Sequence, residues 1–373
     1  MINSFDNIYI CCPAYLVTGG PEALHQLADA INFQGGSAFM VYYRGDSLVE
    51  AYVPLKFKHY KVKLAKMPVP GIRNALVVPE SNHTLLDQFA FENKFLWWLG
   101  WFHFSGNMSD ISSDVVHLYQ SHYVKEKLIE SDVSKLMSLS DYISIPTHGM
   151  TEKTNKIAVP SRKIDAKFLK FHEFLQTNYS TIEIKNISRF EVAKVLEETF
   201  CYIDFGIHAG KDRMPREAAV LGNIILTSSL GTFGNSIDSR IPEELKISEE
   251  QSLADFKELL DDVFENRACY KEKMNAYILQ IENQKGVFFK EVNAVFCRSY
   301  EYIAVNNLSS KFRIYTYIEM GLVRLGLYAP QFNQVKSSGV WLKVKNRIFY
   351  AANKYLPAIG AVAFVVSRLY IIY

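Results

Sequence analysis

The chain has 373 residues, 49% of them hydrophobic and 21% charged, with a formal net charge of +2. That length and balance fit a folded, soluble body with room for two domains, each with its own core. Five cysteines without C-x-x-C spacing argue against a cysteine metal site and fit a reducing, cytoplasmic compartment. The opening Met-Ile-Asn-Ser-Phe-Asp has neither the basic nor the apolar stretch of a signal peptide.

In chain order, residues 8–12 read as a short apolar strand and 13–20 as a loop. Pro21 then opens a helix whose Ala23, Leu24, Leu27, Ala28 and Ile31 keep the 3.6-residue period. Gly35-Gly36 ends it, and strand-like runs follow at 38–42, 75–78, 95–99 and 115–119, with a helix at 121–131. The polar stretch 148–156 reads as a linker. A second series places strands at 157–159, 182–184, 200–204 and 224–227, and helices at 164–176, 188–198, 215–221 and 252–265. Ser188 and Glu191 have capping-box spacing at the second of these helices. Residues 269–302 read as one or two long helices. Strands alternating with helices of about ten residues predict parallel sheets covered on both faces. The expected architecture is α/β: two Rossmann-like halves, 1–150 and 151–302, facing across a cleft, with an extension at 303–373.

The most informative stretch is 202–227: a buried strand, a polar loop with Gly206 and Gly210, a proline-started helix, and a second buried strand. His208, Lys211, Asp212, Arg213 and Arg216 crowd the loop and first turn. Pro215 suits the first helical position and Gly222 the end. A helix N-terminus flanked by three cationic side chains is a receptor for a phosphate or diphosphate. A loop at the carboxyl end of a parallel strand is where open α/β sheets bind ligands.

Two segments resemble a known family. Gly19-Gly-Pro-Glu22, followed by an apolar helix, resembles the opening of many GT-B glycosyltransferases. The string 204–222 is similar to the GT4-like donor segment of bacterial GT-B enzymes that build capsule and lipopolysaccharide glycans, with Ala209 where relatives commonly carry proline. The resemblance implies a nucleotide-sugar donor held by the second half and a glycan or lipid-linked acceptor presented by the first. It implies donor contacts from Arg162, Lys163, Gly206, Gly210, Lys211, Arg213, Arg216 and Glu217, with Gly19 and Gly20 at the acceptor loop. The E-x7-E pattern of one large retaining family is not intact, since Ala209 stands eight before Glu217. An epimerase on the same scaffold, or a non-catalytic subunit of a glycan-assembly complex, are the alternatives.

Candidate proton acceptors are Glu22 and His25, three apart on one helix, with His117 in its apolar strand and His208 in its loop. Each has a bland reading as a satisfied core or surface residue. Trp97, Trp98 and Trp101 read either as core or as a sugar-stacking wall. No D-x-D motif offers a metal site, and no G-x-G-x-x-G follows the first strand, which counts against a nicotinamide oxidoreductase. No cofactor or metal is expected, the nucleotide-sugar being a substrate. From Gly321 onward there are seven basic residues and no acidic one, leaving −5 (+2 less +7) on the other 320. Basic residues mixed with apolar runs predict a tail lying on an anionic membrane surface, on the inner face of the plasma membrane, rather than on nucleic acid.

Overall fold

The computed structural model describes residues 3–144, 152–161 and 164–298, all within one compact unit. Arg162, Lys163, residues 148–151 of the expected linker and the whole 303–373 extension lie outside the described residues.

The first half is a parallel sheet of β1 (Asn7–Pro13), β2 (Ala38–Arg44), β3 (Asn74–Pro79), β4 (Asn93–Trp98), β5 (Val116–Tyr119) and β6 (Leu136–Ser138), in the order β2-β1-β3-β4-β5-β6. A two-residue antiparallel strand, Ser47–Leu48, edges β2. The strands are near-continuous apolar runs because both faces are covered. Ile8, Ile10 and Trp97 enter one core, while Tyr9, Cys11 and Trp98 enter the other.

The second half is also parallel, ordered β8-β7-β9-β10-β11 from β7 (Thr154–Pro160), β8 (Thr181–Ile184), β9 (Thr199–Asp204), β10 (Ile224–Ser228) and β11 (Lys246–Ile247). Helices α1 (Gly19–Phe33) and α2 (His122–Glu130) serve the first half. Helices α3 (Leu169–Asn178), α4 (Arg189–Glu198), α5 (Arg213–Val220), α6 (Leu253–Glu265) and α7 (Arg267–Lys273) serve the second. The predicted capping box at Ser188 and Glu191 is present at α4.

Helix α8 (Asn275–Phe296) ties the halves together. Its Tyr277 and Ile281 join the core of the second half, and its Phe288, Val292 and Phe296 join that of the first. Burying such side chains contributes roughly 1.5–3 kcal/mol each. Glu291 adds polar anchors, accepting from the Ser140 N–H at 2.7 Å and from the hydroxyls of Ser138 and Ser140.

Helix α1 departs from its expected amphipathic pattern: every residue from 21 to 28 is buried, including Glu22, His25 and Gln26. Its apolar face meets the sheet, while its other side packs on α8, where Phe33 meets Phe289 edge-on. Its polar residues therefore need internal partners. Gln26 donates to the Tyr60 hydroxyl and the Tyr142 carbonyl.

Candidate functional site

Both sheets reverse their strand order beside their first strand, β1 in one half and β7 in the other. The carboxyl ends at such reversals leave a crevice for ligands. Here the loops after β1, β4 and β5 of one half meet the loop from β9 into α5 of the other, with Gly19 against Arg213. The Trp101 N–H donates to the Ala209 carbonyl at 2.9 Å, and the Lys211 N–H to the Gln120 side chain at 2.8 Å. Asp238 accepts from the His122 and Tyr123 N–H groups at the start of α2.

Gly210 is required by this approach, because a Cβ there would lie 2.2 Å from the Leu99 carbonyl oxygen. Gly206 serves the loop differently, its N–H donating to Asp204 and its carbonyl accepting from Ser228. Beside the meeting point lies a cleft of about 340 Å³, lined by Leu99, Gly100, Phe102 and His103 on one side and by Ile164, Asp165, Ile207, Ala209, Gly210 and Asp212 on the other.

Helix α5 starts at Arg213, two residues before the predicted Pro215. Proline is tolerated there because N–H groups throughout the first turn lack intrahelical partners. The earlier start places Arg213 at the helix entrance and carries Arg216 to its buried side. The Arg213 stem lies across Gly19, where a Cβ would sit 3.0 Å from Arg213 Cδ. Gly20 faces Leu99. Arg213 donates to Glu22 at 3.1 Å, yet its Nη1 is buried with no hydrogen-bond partner. Thr18 gives α1 no side-chain cap, so that helix entrance is also open to an anion.

Glu22, 3% exposed, collects Lys56 at 2.8 Å, Arg213 at 3.1 Å, Arg189 at 3.3 Å and the Tyr60 hydroxyl at 3.3 Å. Glu217 takes the other arm of Arg189 at 2.6 Å and faces Arg213 Nε at 3.8 Å. Three cations thus face two carboxylates, leaving one net positive charge where α1, α4 and α5 begin.

Several expected roles are corrected. Arg216 is 2% exposed and pairs both arms with Asp141 at 2.9 Å; its remaining donors go to Gln284 and the Asp212 and Lys211 carbonyls. It joins the halves and offers nothing to a phosphate. Burial opposes ionisation of Asp141, but the Arg216 charge and hydrogen bonds hold its carboxyl below the usual range. His25 is enclosed between the Pro21 carbonyl and the Tyr42 hydroxyl. Desolvation lowers its pKa. His117 accepts from the Trp98 indole at 3.0 Å, and burial pulls its pKa down to about 4. Neither imidazole reaches the cleft, and Glu22 is saturated by its partners.

His208 is 1% exposed, bound to Asp212 at 2.7 Å and facing Asp204 at 3.6 Å, so it shapes the loop. Trp97 and Trp98 are core residues, with Trp101 stacked on Trp98 at 5.3 Å. The structure does gather Gly19, Gly20, Gly210, Lys211, Arg213 and Glu217 at one place. Sequence reasoning missed Lys56, Arg189, His103 and Asp165. Only Arg189 carried a local signal, since the Ser188 capping box sets it at a helix start.

No protein-family model matches this sequence, and no curated protein sequence does. Among solved structures, the chain is similar to an alpha-glucosyltransferase in complex with UDP and a 13-mer DNA (11% identity, TM-score 0.50, 77% of this chain and 98% of that one). It is also similar to the Thermobaculum terrenum O-GlcNAc transferase (8% identity, TM-score 0.53, 78% and 67%). A third likeness, to TarM, has 11% identity and a TM-score of 0.44, and there the chain spans about half of the neighbour's length (54%). With two doubly wound parallel units meeting at their switch points, the fold is GT-B.

Proposed function

We propose that this chain is a glycosyltransferase that moves a sugar from a nucleotide-sugar to a glycan or lipid-linked acceptor. The observation that carries the reading is the meeting of the open α1 entrance with the unfilled Arg213 guanidinium at the switch points of both sheets. Developing charge on a leaving nucleoside diphosphate needs fixed donors and cations there, without a metal. In this reading the Gly19 and Gly20 N–H groups, Lys211 and Arg213 receive the diphosphate, with Arg162 and Lys163 as further donor contacts. Glu217 binds the ribose once Arg189 releases it.

The acceptor enters the cleft between Phe102-His103 and Ile207. Its hydroxyl oxygen bonds to the anomeric carbon while the diphosphate leaves with the electron pair. His103, exposed at the cleft on the acceptor side, takes the hydroxyl proton in place of Glu22, His25 and His117. The product class proposed is a bacterial surface polysaccharide of the capsule or lipopolysaccharide type. The 303–373 extension would hold the protein on the inner face of the plasma membrane.

The test is turnover against a panel of nucleotide sugars with and without acceptor. Arg213→Met should lower kcat/KM by about 100-fold, and His103→Ala should lower kcat with little change in donor KM. Undiminished turnover in Arg213→Met sinks the donor assignment. Donor consumption that ignores the acceptor favours the epimerase alternative.

A further inference from the structure

We infer that Lys56, Arg189 and Arg213 form a diphosphate seat that the protein fills with its own carboxylate, Glu22, until a ligand displaces it. The inference rests on reading the entrances of α1 and α5 as the nucleotide-sugar site. It adds two residues to that site and a competitor built into it.

Four donors around one carboxylate exceed what an ordinary surface pair gathers, and they come from three separate segments. Lys56 comes from the loop after β2 and Arg189 from the first turn of α4, while Arg213 opens α5 and Tyr60 follows Lys56 closely in the chain. A carboxylate and a phosphate present the same kind of anionic oxygen to such a ring, and guanidinium groups bind either in a forked geometry. Glu22 leaves the ring incompletely used: the side chain of Arg213 is 10% exposed, and its buried Nη1 has no hydrogen-bond partner. The terminal phosphate of a nucleoside diphosphate has one more non-bridging oxygen than a carboxylate and carries more charge. At the same place α1 begins without a side-chain cap, on two glycines.

Exchange also explains the position of Arg189. It spans Glu22 in one half and Glu217 in the other, 44% exposed, and so closes the space a nucleotide would enter. When a diphosphate draws Arg213 and Lys56 away from Glu22, Arg189 follows the new anion and frees Glu217. The ligand class is a diphosphate carried by a nucleoside, and the resident carboxylate sets a threshold against weaker anions such as single phosphates.

The experiment is calorimetric titration of the full chain with inorganic diphosphate, repeated with inorganic phosphate and UDP. Removing the competing charge in Glu22→Gln should tighten diphosphate binding by about tenfold, whereas Arg189→Gln should weaken it by about threefold. Equal or weaker diphosphate binding by a folded Glu22→Gln variant overturns the inference. Should that variant fail to fold, the exposed Arg189 decides, because diphosphate affinity unchanged in Arg189→Gln overturns it equally. Tighter diphosphate binding by Glu22→Gln with no sugar transfer in either protein retains the seat and removes the transferase reading. Intact transfer with no gain in diphosphate affinity does the reverse.

Discussion

Arg213 and Arg216 stand three positions apart on α5, and each meets a carboxylate of the opposite half. The contact of Arg216 with Asp141 is dry, since both side chains are 2% exposed and every guanidinium nitrogen has a partner. The contact of Arg213 with Glu22 is crowded with other cations, lies beside an open helix entrance, and leaves Arg213 Nη1 unpaired. A buried charge pair is stable only when all its donors are met, so the first contact is a fixture of the fold. The second has capacity to spare, which is what a ligand needs. Identical residues in one short helix therefore divide into a satisfied joint and an unsatisfied contact by what the opposite half places in front of them.

The largest effects should come from breaking the joint. Asp141→Ala should cost about 3–5 kcal/mol in urea unfolding at pH 7, because it strands the Arg216 charge in the interior. The double variant Asp141→Leu with Arg216→Met should recover much of that loss, and failure to recover would mean the pair does more than satisfy itself. An intermediate effect belongs to Gly210→Ala. Its Cβ meets the Leu99 backbone carbonyl as well as the Gln120 side chain, so the two loops must part, at about 1–3 kcal/mol. Reduced donor affinity alongside this loss would show that the approach of the loops shapes the cleft as well.

A third effect, read across pH, concerns Glu80, 2% exposed beneath the cleft loop and accepting from the Leu99 N–H at 3.1 Å. Burial pushes its pKa up to about 8, against the pull of the Leu99 and Gly100 N–H groups. Below the carboxyl's ordinary range both folded and unfolded chains hold the proton. As pH rises from there to about 8 only the unfolded chain releases it, so stability falls through that window and levels off above it. Glu80→Gln keeps an acceptor for Leu99 and should abolish the fall. The limb that remains is that of the buried histidines, His25 and His172 alongside His117, the most strongly shifted. Their depressed pKa values mean that stability is lost as pH drops from the ordinary imidazole range, for His117 down towards about 4. Chemical denaturation across pH 4–9 separates the two, and an unchanged profile in Glu80→Gln would mean that another group governs the alkaline side.

Much of the fold was legible because strands buried on both faces leave unbroken apolar runs, and the 8–12, 38–42 and 224–227 segments all fall inside observed strands. The loop at 204–212 was legible because glycines and charges gathered at a strand end have few other uses. What misled was helix register. Reading Pro215 as the first helical residue leaves Arg213 outside α5 and gives both arginines to the ligand. The true start turns one of them inward. His25 and His117 misled for a related reason, since spacing along one helix or strand shows which residues share a face and not that Tyr42 and Phe57 or a tryptophan cover it. Lys56, Arg189 and Glu22 lie far apart in the chain, and no local pattern announces that they converge.

By itself the sequence determined the two parallel units, their strand ends and the glycine-bearing loops, because backbone geometry and apolar periodicity act over a few neighbours. Only the tertiary structure decided that Arg216 is a joint, that Arg213 keeps an unpaired nitrogen and that Glu22 holds three cations. Charge pairing depends on the distance between segments drawn from both halves, and that distance is fixed when α8 packs the two cores together.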